Sequence, residues 1–339
     1  MLNPKNFNYL STYFLGKEAE DRGIFVTKII NSGPLAKKSY LELKYKNHSE
    51  VIIGQRTSKT DCIAYWIQKN KELAKSFFIR SGINVAKSQV LKSGDLKEVV
   101  AACHKIKYPV VIKPISGIQG KDVYLGIDSD RKVLRVLKEL NKKMNRTILV
   151  EKEFKGEEYR ILATSEKFVA AIHRVPANVV GDGVHTIKQL ITLKNKDPRR
   201  GEGHKMSLVK IKIDDIVLEY LKQHGKKLST VPNKDEIVSL RPNSNISTGG
   251  DSYDVTDIVN PKVKKLAVKI IQSIPGLAFA GIDYLTKDIT ADPTKRNYIV
   301  IEVNDSPMLS MHHVPYSGKE RNVAAVIIDQ LFPETKKKK

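Results

Sequence analysis

The sequence predicts a mixed fold, α/β or α+β, divided into several lobes. Short apolar runs typical of buried strands alternate with amphipathic helical segments along most of the 339 residues. Hydrophobic residues make up 41% of the chain, so it can bury a sizeable core. Because the chain is too long for one small module, we expect an N-terminal α/β domain (1–85), a small lobe (86–155), a larger C-terminal lobe (156–335) and a basic tail (336–339).

The first 155 residues contain the predicted elements of the two smaller parts. Residues 1–60 alternate short apolar segments with turns, which indicates a small α/β unit. One helix is expected over 60–81, because apolar side chains recur at helical spacing and Gly82 follows. The remaining expected elements are a helix at 96–106, strands at 110–112 and 123–127, a helix containing Val133 to Leu140 and a strand at 148–151.

The C-terminal part is expected to be a mixture of helices and antiparallel strands. A hairpin is predicted around the turn 165–167. The strands of this hairpin are expected at 159–164 and 168–175. Helices are expected at about 185–194, 214–224 and 262–274, and two further strands at 278–286 and 298–304. Residues 241–257 form a polar, glycine-bearing segment that we interpret as a functional loop.

The charge of the chain is strongly positive. Lysine and arginine number 59 against 37 aspartate and glutamate, giving a formal net charge of +22. The lysines are spread along the chain and accompany no arginine-rich arm, zinc-finger pattern or RNP-type aromatic strand. We interpret the charge as a solvated surface that attracts anionic small molecules, and nucleic acid is not the expected partner.

Cellular location is predicted from three absences in the sequence. No apolar run approaches the roughly 18–20 residues that cross a bilayer, so no membrane association is expected. The first residues lack the basic-then-apolar pattern of a secretory signal. Two cysteines, Cys62 and Cys103, cannot build a disulfide framework, and we expect both in the core. The prediction is a cytoplasmic protein.

Two C-terminal strands carry oxygen ligands suited to a divalent metal. Side chains alternate faces along a strand, so Glu302 and Asn304 point to one side. If the preceding strand pairs with theirs as a hairpin, Asp283 joins them. Hard oxygen donors without His or Cys suit Mg²⁺, which proteins hold through one or two carboxylates plus substrate phosphates. The alternative is that these residues are ordinary solvent-facing strand positions.

Two further segments have the composition of a nucleotide site. Lys113 ends a predicted strand and is followed by Ser116, Gly117 and Gly120, and a lysine beside loop N–H donors can hold phosphate oxygens. The order matches neither a P-loop nor a GxGxxG fingerprint, so an ordinary turn is the alternative. The segment EKEF (151–154) could be an extended hinge that contacts a flat heterocycle, or a charged linker.

Taken together, these motifs resemble the ATP-grasp superfamily of carboxylate–amine ligases. The resemblance covers about residues 60–334 and follows the order of lysine helix, strand–Lys–glycine loop, hinge, arginine strand, Arg/Asn/Gly loop, Asp strand and Glu-x-Asn strand. Cyanophycin synthetases and the glutathione synthetase module of bifunctional γ-glutamate–cysteine ligase/glutathione synthetases have segments similar to VVGDGVHTIKQLI, DPRRGEGH and LRPNSNISTGGDSYDVTD. The ending, EVNDSPMLSMHHVPYSGKERN, is most similar to the bifunctional enzyme.

The resemblance implies a role for each matching residue. The residues implied to bind ATP are Lys71, Lys113, Ser116, Gly120, Glu151, Phe154 and Glu158. The two lysines and the loop residues Ser116 and Gly120 are expected at the phosphates. Glu151 and Phe154 of the hinge are expected at the adenine, and Glu158 is expected at the ribose. The residues implied near the γ-phosphate and acyl-phosphate oxygens are Arg174, Arg241 and Asn245, and those implied to bind Mg²⁺, with Mn²⁺ as a substitute, are Asp283, Glu302 and Asn304.

The reaction implied is ATP-dependent amide formation between an amino-acid or short-peptide carboxylate and an amine. ATP would convert the carboxylate to an acyl phosphate, which needs positioning and charge neutralisation more than a protein nucleophile. A glutathione-synthetase-like reaction is the best single candidate. The alternatives are addition of amino acids to a protein or polymer, and a non-catalytic ATP- or RNA-binding module.

Several features keep no assignment at this level. Dimers are common among superfamily members, which leaves a homodimer open by analogy. The first 60 residues receive no function. Neither do four histidines, which are His185, His204, His312 and His313.

Overall fold

The computed structural model describes residues 2–29, 39–115, 122–142 and 146–336. Helices and strands alternate through these residues, which confirms the mixed fold class. Short 3-10 helices lie at Pro4–Asn6, Ile246–Thr248 and Pro333–Thr335. None of the helices in the described ranges has the length and apolarity that crossing a membrane requires.

The N-terminal part is one helix and a three-stranded antiparallel sheet. Its elements are α1 (Leu10–Glu20), β1 (Phe25–Ile29), β2 (Tyr40–Tyr45) and β3 (His48–Ile53). Buried Leu15, Leu41 and Ile52 belong to one apolar cluster with Leu162 and Phe279 of the C-terminal part. The first 60 residues therefore fold against the C-terminal part through a shared core, while the predicted domain boundary at residue 85 stays a prediction.

The prediction of one continuous helix over 60–81 is wrong, because the chain breaks the helix near its centre. The chain forms α2 (Cys62–Lys69) and α3 (Lys71–Arg80), with Asn70 between them in an extended conformation. The Asn70 side chain accepts hydrogen bonds from the N–H groups of Glu72 and Leu73, both at 3.1 Å. An asparagine that caps a new helix competes with continuation of the old one, which the apolar spacing alone does not reveal.

The small lobe is a four-stranded antiparallel sheet in the order β4-β7-β5-β6. Its elements are β4 (Ser88–Lys92), α4 (Leu96–Ile106), β5 (Val110–Pro114), β6 (Tyr124–Ile127), α5 (Asp130–Asn141) and β7 (Thr147–Lys152). Val99 and Val133 of the two helices pack with Ile112 and Val150 of the sheet in a separate apolar core. The predicted elements of this lobe are confirmed to within a few residues.

The C-terminal part is built on a five-stranded antiparallel sheet in the order β14-β9-β8-β15-β16. Its elements are β8 (Glu157–Thr164), β9 (Phe168–Val175), β10 (Asn178–Val180), α6 (Ile187–Lys194), β11 (Arg200–Gly201), β12 (Leu208–Val209), α7 (Asp215–Gln223), β13 (Ile237–Ser239), β14 (Asp251–Asp254), α8 (Pro261–Gln272), β15 (Phe279–Thr286), β16 (Tyr298–Asn304), α9 (Ser310–His313) and α10 (Val323–Leu331). Both predicted hairpins, β8–β9 and β15–β16, are confirmed.

The two faces of this sheet have different neighbours. Ile161 and Tyr284 pack on one face with Val263 and Ile270 of α8. Side chains alternate along β8, so Leu162, which packs against the N-terminal part, shares the opposite face with Arg160. The N-terminal part and the polar residues of the sheet therefore lie side by side on one face.

Candidate active site

A cavity of about 940 Å³ lies between the four-stranded and the five-stranded sheet, since both contribute to its wall. It brings together most of the residues that the sequence nominates: Lys71, Lys113, Glu151, Phe154, Glu158, Arg174, Asn245, Asp283, Glu302 and Asn304. Ser116 and Gly120 lie outside the described residues. Arg241 is not on the wall that the described ranges form, although the four residues after it are.

The acidic residues meet as the predicted hairpin requires. Asp283 of β15 is the cross-strand partner of Glu302 of β16, and Asn304 follows two residues later. The Asn304 Oδ1 accepts a hydrogen bond from the Ser306 N–H at 3.0 Å. Within the described residues no cluster of three or more His, Cys, Asp or Glu side chains could hold a metal. Two carboxylates and one amide oxygen fit an ion such as Mg²⁺, which takes its other ligands from water and phosphates.

Two buried guanidinium groups neutralise Asp283. Arg160 Nε donates to Asp283 Oδ1 at 2.6 Å, and Arg174 Nη2 lies 3.1 Å from Oδ2. Burial alone would raise the pKa of Asp283, but the charges of the two arginines outweigh it and hold that pKa below its usual range. Arg174 also contacts Glu158, whose other oxygen contacts Ser244. Asp283 is therefore kept ionised and held in place from β8 and β9.

Sequence reasoning missed Arg160. It lies directly opposite Asp283 in the β8–β15 register, and Gly281 leaves the space that its side chain fills. A Cβ at Gly281 would stand 2.8 Å from Arg160 Cδ, which is too close for two carbon atoms. The available signal was the strand period, because Glu158 and Arg160 are two residues apart and share a face.

Lys71 links the start of α3 to β16, the strand that carries Glu302 and Asn304. It is the first residue of that helix, directly after the Asn70 cap, and its Nζ lies 2.8 Å from Glu302 Oε2. The lysine and the positive end of the helix dipole together place positive charge beside the acidic residues. A phosphate group bound in the cavity would find this charge at the wall.

Glu151 is held between two lysines. Its Oε2 lies 2.5 Å from Lys113 Nζ, and its Oε1 contacts Lys75 Nζ. Burial would raise the pKa of Glu151, but the two ammonium charges outweigh it and keep that pKa low. Burial also lowers the pKa of Lys75 in spite of this carboxylate. Sequence reasoning missed Lys75, although it lies one helical turn after Lys71.

Arg241 pairs with a carboxylate at the start of α7. Its Nη2 lies 2.5 Å from Asp214 Oδ2, and the Asp214 side chain also caps α7. Arg241 therefore connects the loop to the start of α7, and the role that the resemblance implies for it stays a prediction. Further along the loop, Gly249 has a φ of +97°, and a Cβ there would lie 2.8 Å from Ile211 Cγ1, so the turn requires glycine.

A model of the RimK-like ATP-grasp domain matches residues 68–182 of this chain. That range contains Lys71, Lys113, the hinge and Arg174. A crystal structure of a bifunctional glutathione synthetase from Pasteurella multocida is similar with a TM-score of 0.74 and 35% sequence identity, over 97% of this chain and 44% of that chain. This chain belongs to the ATP-grasp superfamily.

Curated ATP-grasp relatives match almost the whole chain. Cyanophycin synthetase of Crocosphaera subtropica is 35% identical over 325 residues, which are 95% of this chain and 36% of that protein. The glutathione biosynthesis bifunctional protein GshAB of Pasteurella multocida is 36% identical over 332 residues, or 96% of this chain and 43% of that protein. The chain therefore spans about two fifths of the length of these relatives. The resemblance inferred from the motifs is confirmed.

The paired histidines of this ATP-grasp chain are neutral residues of its interior. Burial lowers the pKa values of His312 and His313 to about 3 and about 4. His313 stacks on Phe14 with ring centroids 4.2 Å apart and accepts a hydrogen bond from the Ala324 N–H at 3.2 Å. Neither histidine belongs to the cavity wall as the described residues define it. His313 connects α9 to α1 and α10.

The other two unassigned histidines have local partners. His185 Nδ1 lies 2.6 Å from Asp182, and His204 stacks on Tyr9 of the N-terminal part.

Cys103 is buried, and burial raises its pKa to about 11, which suits a core thiol rather than a nucleophile. Cys62 is exposed at the start of α2, so the expectation that both cysteines lie in the core is wrong for Cys62.

Proposed function

We propose that this chain is an ATP- and Mg²⁺-dependent carboxylate–amine ligase that forms an amide bond through an acyl phosphate. The observation that carries the proposal is the convergence, in one cavity, of two lysines, the hinge residues and the Asp283, Glu302 and Asn304 oxygen donors. Amide synthesis from a carboxylate requires phosphoryl transfer, and this set of charges suits that step. The names of the relatives, glutathione biosynthesis protein and cyanophycin synthetase, support the same chemistry.

Each part of the cavity has a task in this proposal. Asp283, Glu302 and Asn304 would hold the divalent ion, which supplies charge neutralisation at the transferring phosphoryl group. Lys71 on α3 and Lys113 on β5 would supply positive charge to the phosphates. Arg160 and Arg174 keep Asp283 ionised, and Arg174 also orients Glu158.

The proposed substrates are an amino-acid or short-peptide carboxylate and an amine, with γ-glutamylcysteine and glycine as the first pair to test. A second candidate is an acidic protein or polymer acceptor, favoured by the net charge of +22 and the cyanophycin synthetase similarity. We propose Mg²⁺ as the physiological metal with Mn²⁺ as a substitute, a cytoplasmic location and a homodimer.

The test is phosphate release from Mg·ATP with panels of amino acids and peptides, followed by mass spectrometry of the products. The wild type should release phosphate only with two co-substrates and yield their condensation product. Glu302→Ala should abolish release, whereas Glu219→Ala, an exposed glutamate on α7, should match the wild type. ATP binding without turnover on any small pair would favour the macromolecular acceptor, and absence of ATP binding would refute the proposal.

A further inference from the structure

One carboxylate on the cavity wall, that of Glu151, is shared by two lysines. Glu151, Lys75 and Lys113 are each less than 10% exposed, and both oxygens of Glu151 are engaged, one by each ammonium group. The group carries a net charge of +1 when all three residues are ionised. One lysine would suffice to neutralise the carboxylate, so the second requires another explanation.

The two lysines are anchored differently. Lys113 and Glu151 line the cavity, whereas Lys75 lies behind Glu151 on α3. Lys75 Nζ also lies 3.2 Å from Ser88 Oγ and 3.5 Å from the Ala86 carbonyl oxygen. Within the described residues Glu151 is the only side chain that pairs with Lys113 Nζ. Lys75 is therefore fixed, and Lys113 can turn toward the cavity by giving up one ion pair.

The energetics of buried charges make this difference important. Breaking a buried ion pair is strongly unfavourable when a charge is left alone in the interior. If Lys113 were the single counter-charge of Glu151, its departure toward a phosphate would leave the carboxylate uncompensated. With Lys75 in place, Glu151 stays neutralised whichever way Lys113 points.

We infer that Lys75 is a positioning residue for the nucleotide: it neutralises Glu151 permanently and so frees Lys113 to move from Glu151 to a phosphate of the bound nucleotide. The inference rests on the proposed function in one respect, that the cavity binds a nucleoside triphosphate. Lys75 itself contacts neither the cavity nor the reacting groups, and it acts through Glu151 and Lys113.

The test compares Lys75→Met with Lys75→Arg in the full chain. Dissociation constants for Mg·ATP and for adenosine are measured by calorimetry, because adenosine lacks the phosphates that Lys113 would reach. Lys75→Met should raise the Kd of ATP about 30-fold, which is about 2 kcal/mol, and that of adenosine less than about threefold. Lys75→Arg keeps the charge and should stay within about threefold of the wild type for both ligands.

A second substitution separates charge from packing. In a chain that already carries Glu151→Gln, adding Lys75→Met should change the Kd of ATP less than about threefold, because a neutral amide needs no counter-charge. If Lys75→Met does not fold, Lys75→Gln removes the same charge while keeping a polar group near Ser88, and the same result is expected. Thermal unfolding of each variant verifies that it is folded.

The outcomes that contradict the inference differ from those that contradict the proposed function. Equal weakening of ATP and adenosine by Lys75→Met would assign Lys75 a merely structural role. Unchanged ATP affinity would show that Lys113 needs no help to leave Glu151. Either result, with a wild type that binds ATP, overturns this inference alone, whereas a wild type that fails to bind ATP overturns the proposed function and the inference with it.

Discussion

Replacing Arg56 with methionine should destabilise the turn that follows β16. Arg56 belongs to the N-terminal part, and its guanidinium donates to both carboxylate oxygens of Asp305, at 2.6 Å and 3.1 Å. Gln68 Nε2 donates a third hydrogen bond at 3.0 Å. Asp305 is 1% exposed and comes directly after Asn304. The N-terminal part thus holds the turn next to the proposed metal ligands.

The size of the effect follows from what the substitution leaves behind. Methionine fills similar space but leaves the buried Asp305 carboxylate with Gln68 as its one remaining partner in the described residues. Removing one member of a buried ion pair costs about 3–5 kcal/mol. Because the Arg56 side chain is 23% exposed, water compensates part of the loss, and we expect about 2–3 kcal/mol.

Urea unfolding of the full chain measures this loss. The matched control is Lys132→Met, which also removes one positive charge, from a pair with Asp128 at 2.8 Å whose side chains are both more than half exposed. The control should unfold at the wild-type midpoint. Adding Asp305→Asn to Arg56→Met should recover much of the loss, since an amide needs no counter-charge. An equal midpoint shift in the two single variants, or no recovery in the double variant, would refute the reasoning.

Two further predictions concern pH and the loop. The pKa values of His312 and His313 in the folded chain, about 3 and about 4, lie below the ordinary value of 6.5. Below pH 6.5 the unfolded chain therefore binds more protons than the folded chain, and the folding stability that is present at pH 7 is lost as the pH falls. At pH 5 the loss should be about 2 kcal/mol for each of these two histidines. Between pH 7 and pH 5, urea unfolding of His313→Gln should therefore show a loss about 2 kcal/mol smaller than that of the wild type, and an equal loss would contradict the neutral buried state. Gly249→Ala should lower the thermal midpoint more than Gly203→Ala, because both have positive φ but a Cβ at Gly203 meets no atom within 4 Å. Equal shifts would show that the contact with Ile211 is unimportant.

Local patterns were sufficient for much of the fold and for part of the site. The helix at 96–106 and the strand at 298–304 have the predicted bounds, because apolar spacing reports the backbone period directly. The convergence of Asp283 and Glu302 was also predicted, on the condition that their strands form a hairpin, which they do. The break at Asn70 was missed because a cap and a continuing helix compete for the same residues.

The sequence by itself therefore determined which functional side chains the site can use and which strands lie side by side in each hairpin. Tertiary structure decided which charges meet: Arg160 with Asp283, Lys75 with Glu151, Arg56 with Asp305 and Arg241 with Asp214. The first three pairs join residues 123, 76 and 249 positions apart. Local periodicity carries no information over such separations. These contacts depend instead on the order of strands in the sheets and on the packing of the N-terminal part beside them, which only the folded chain establishes.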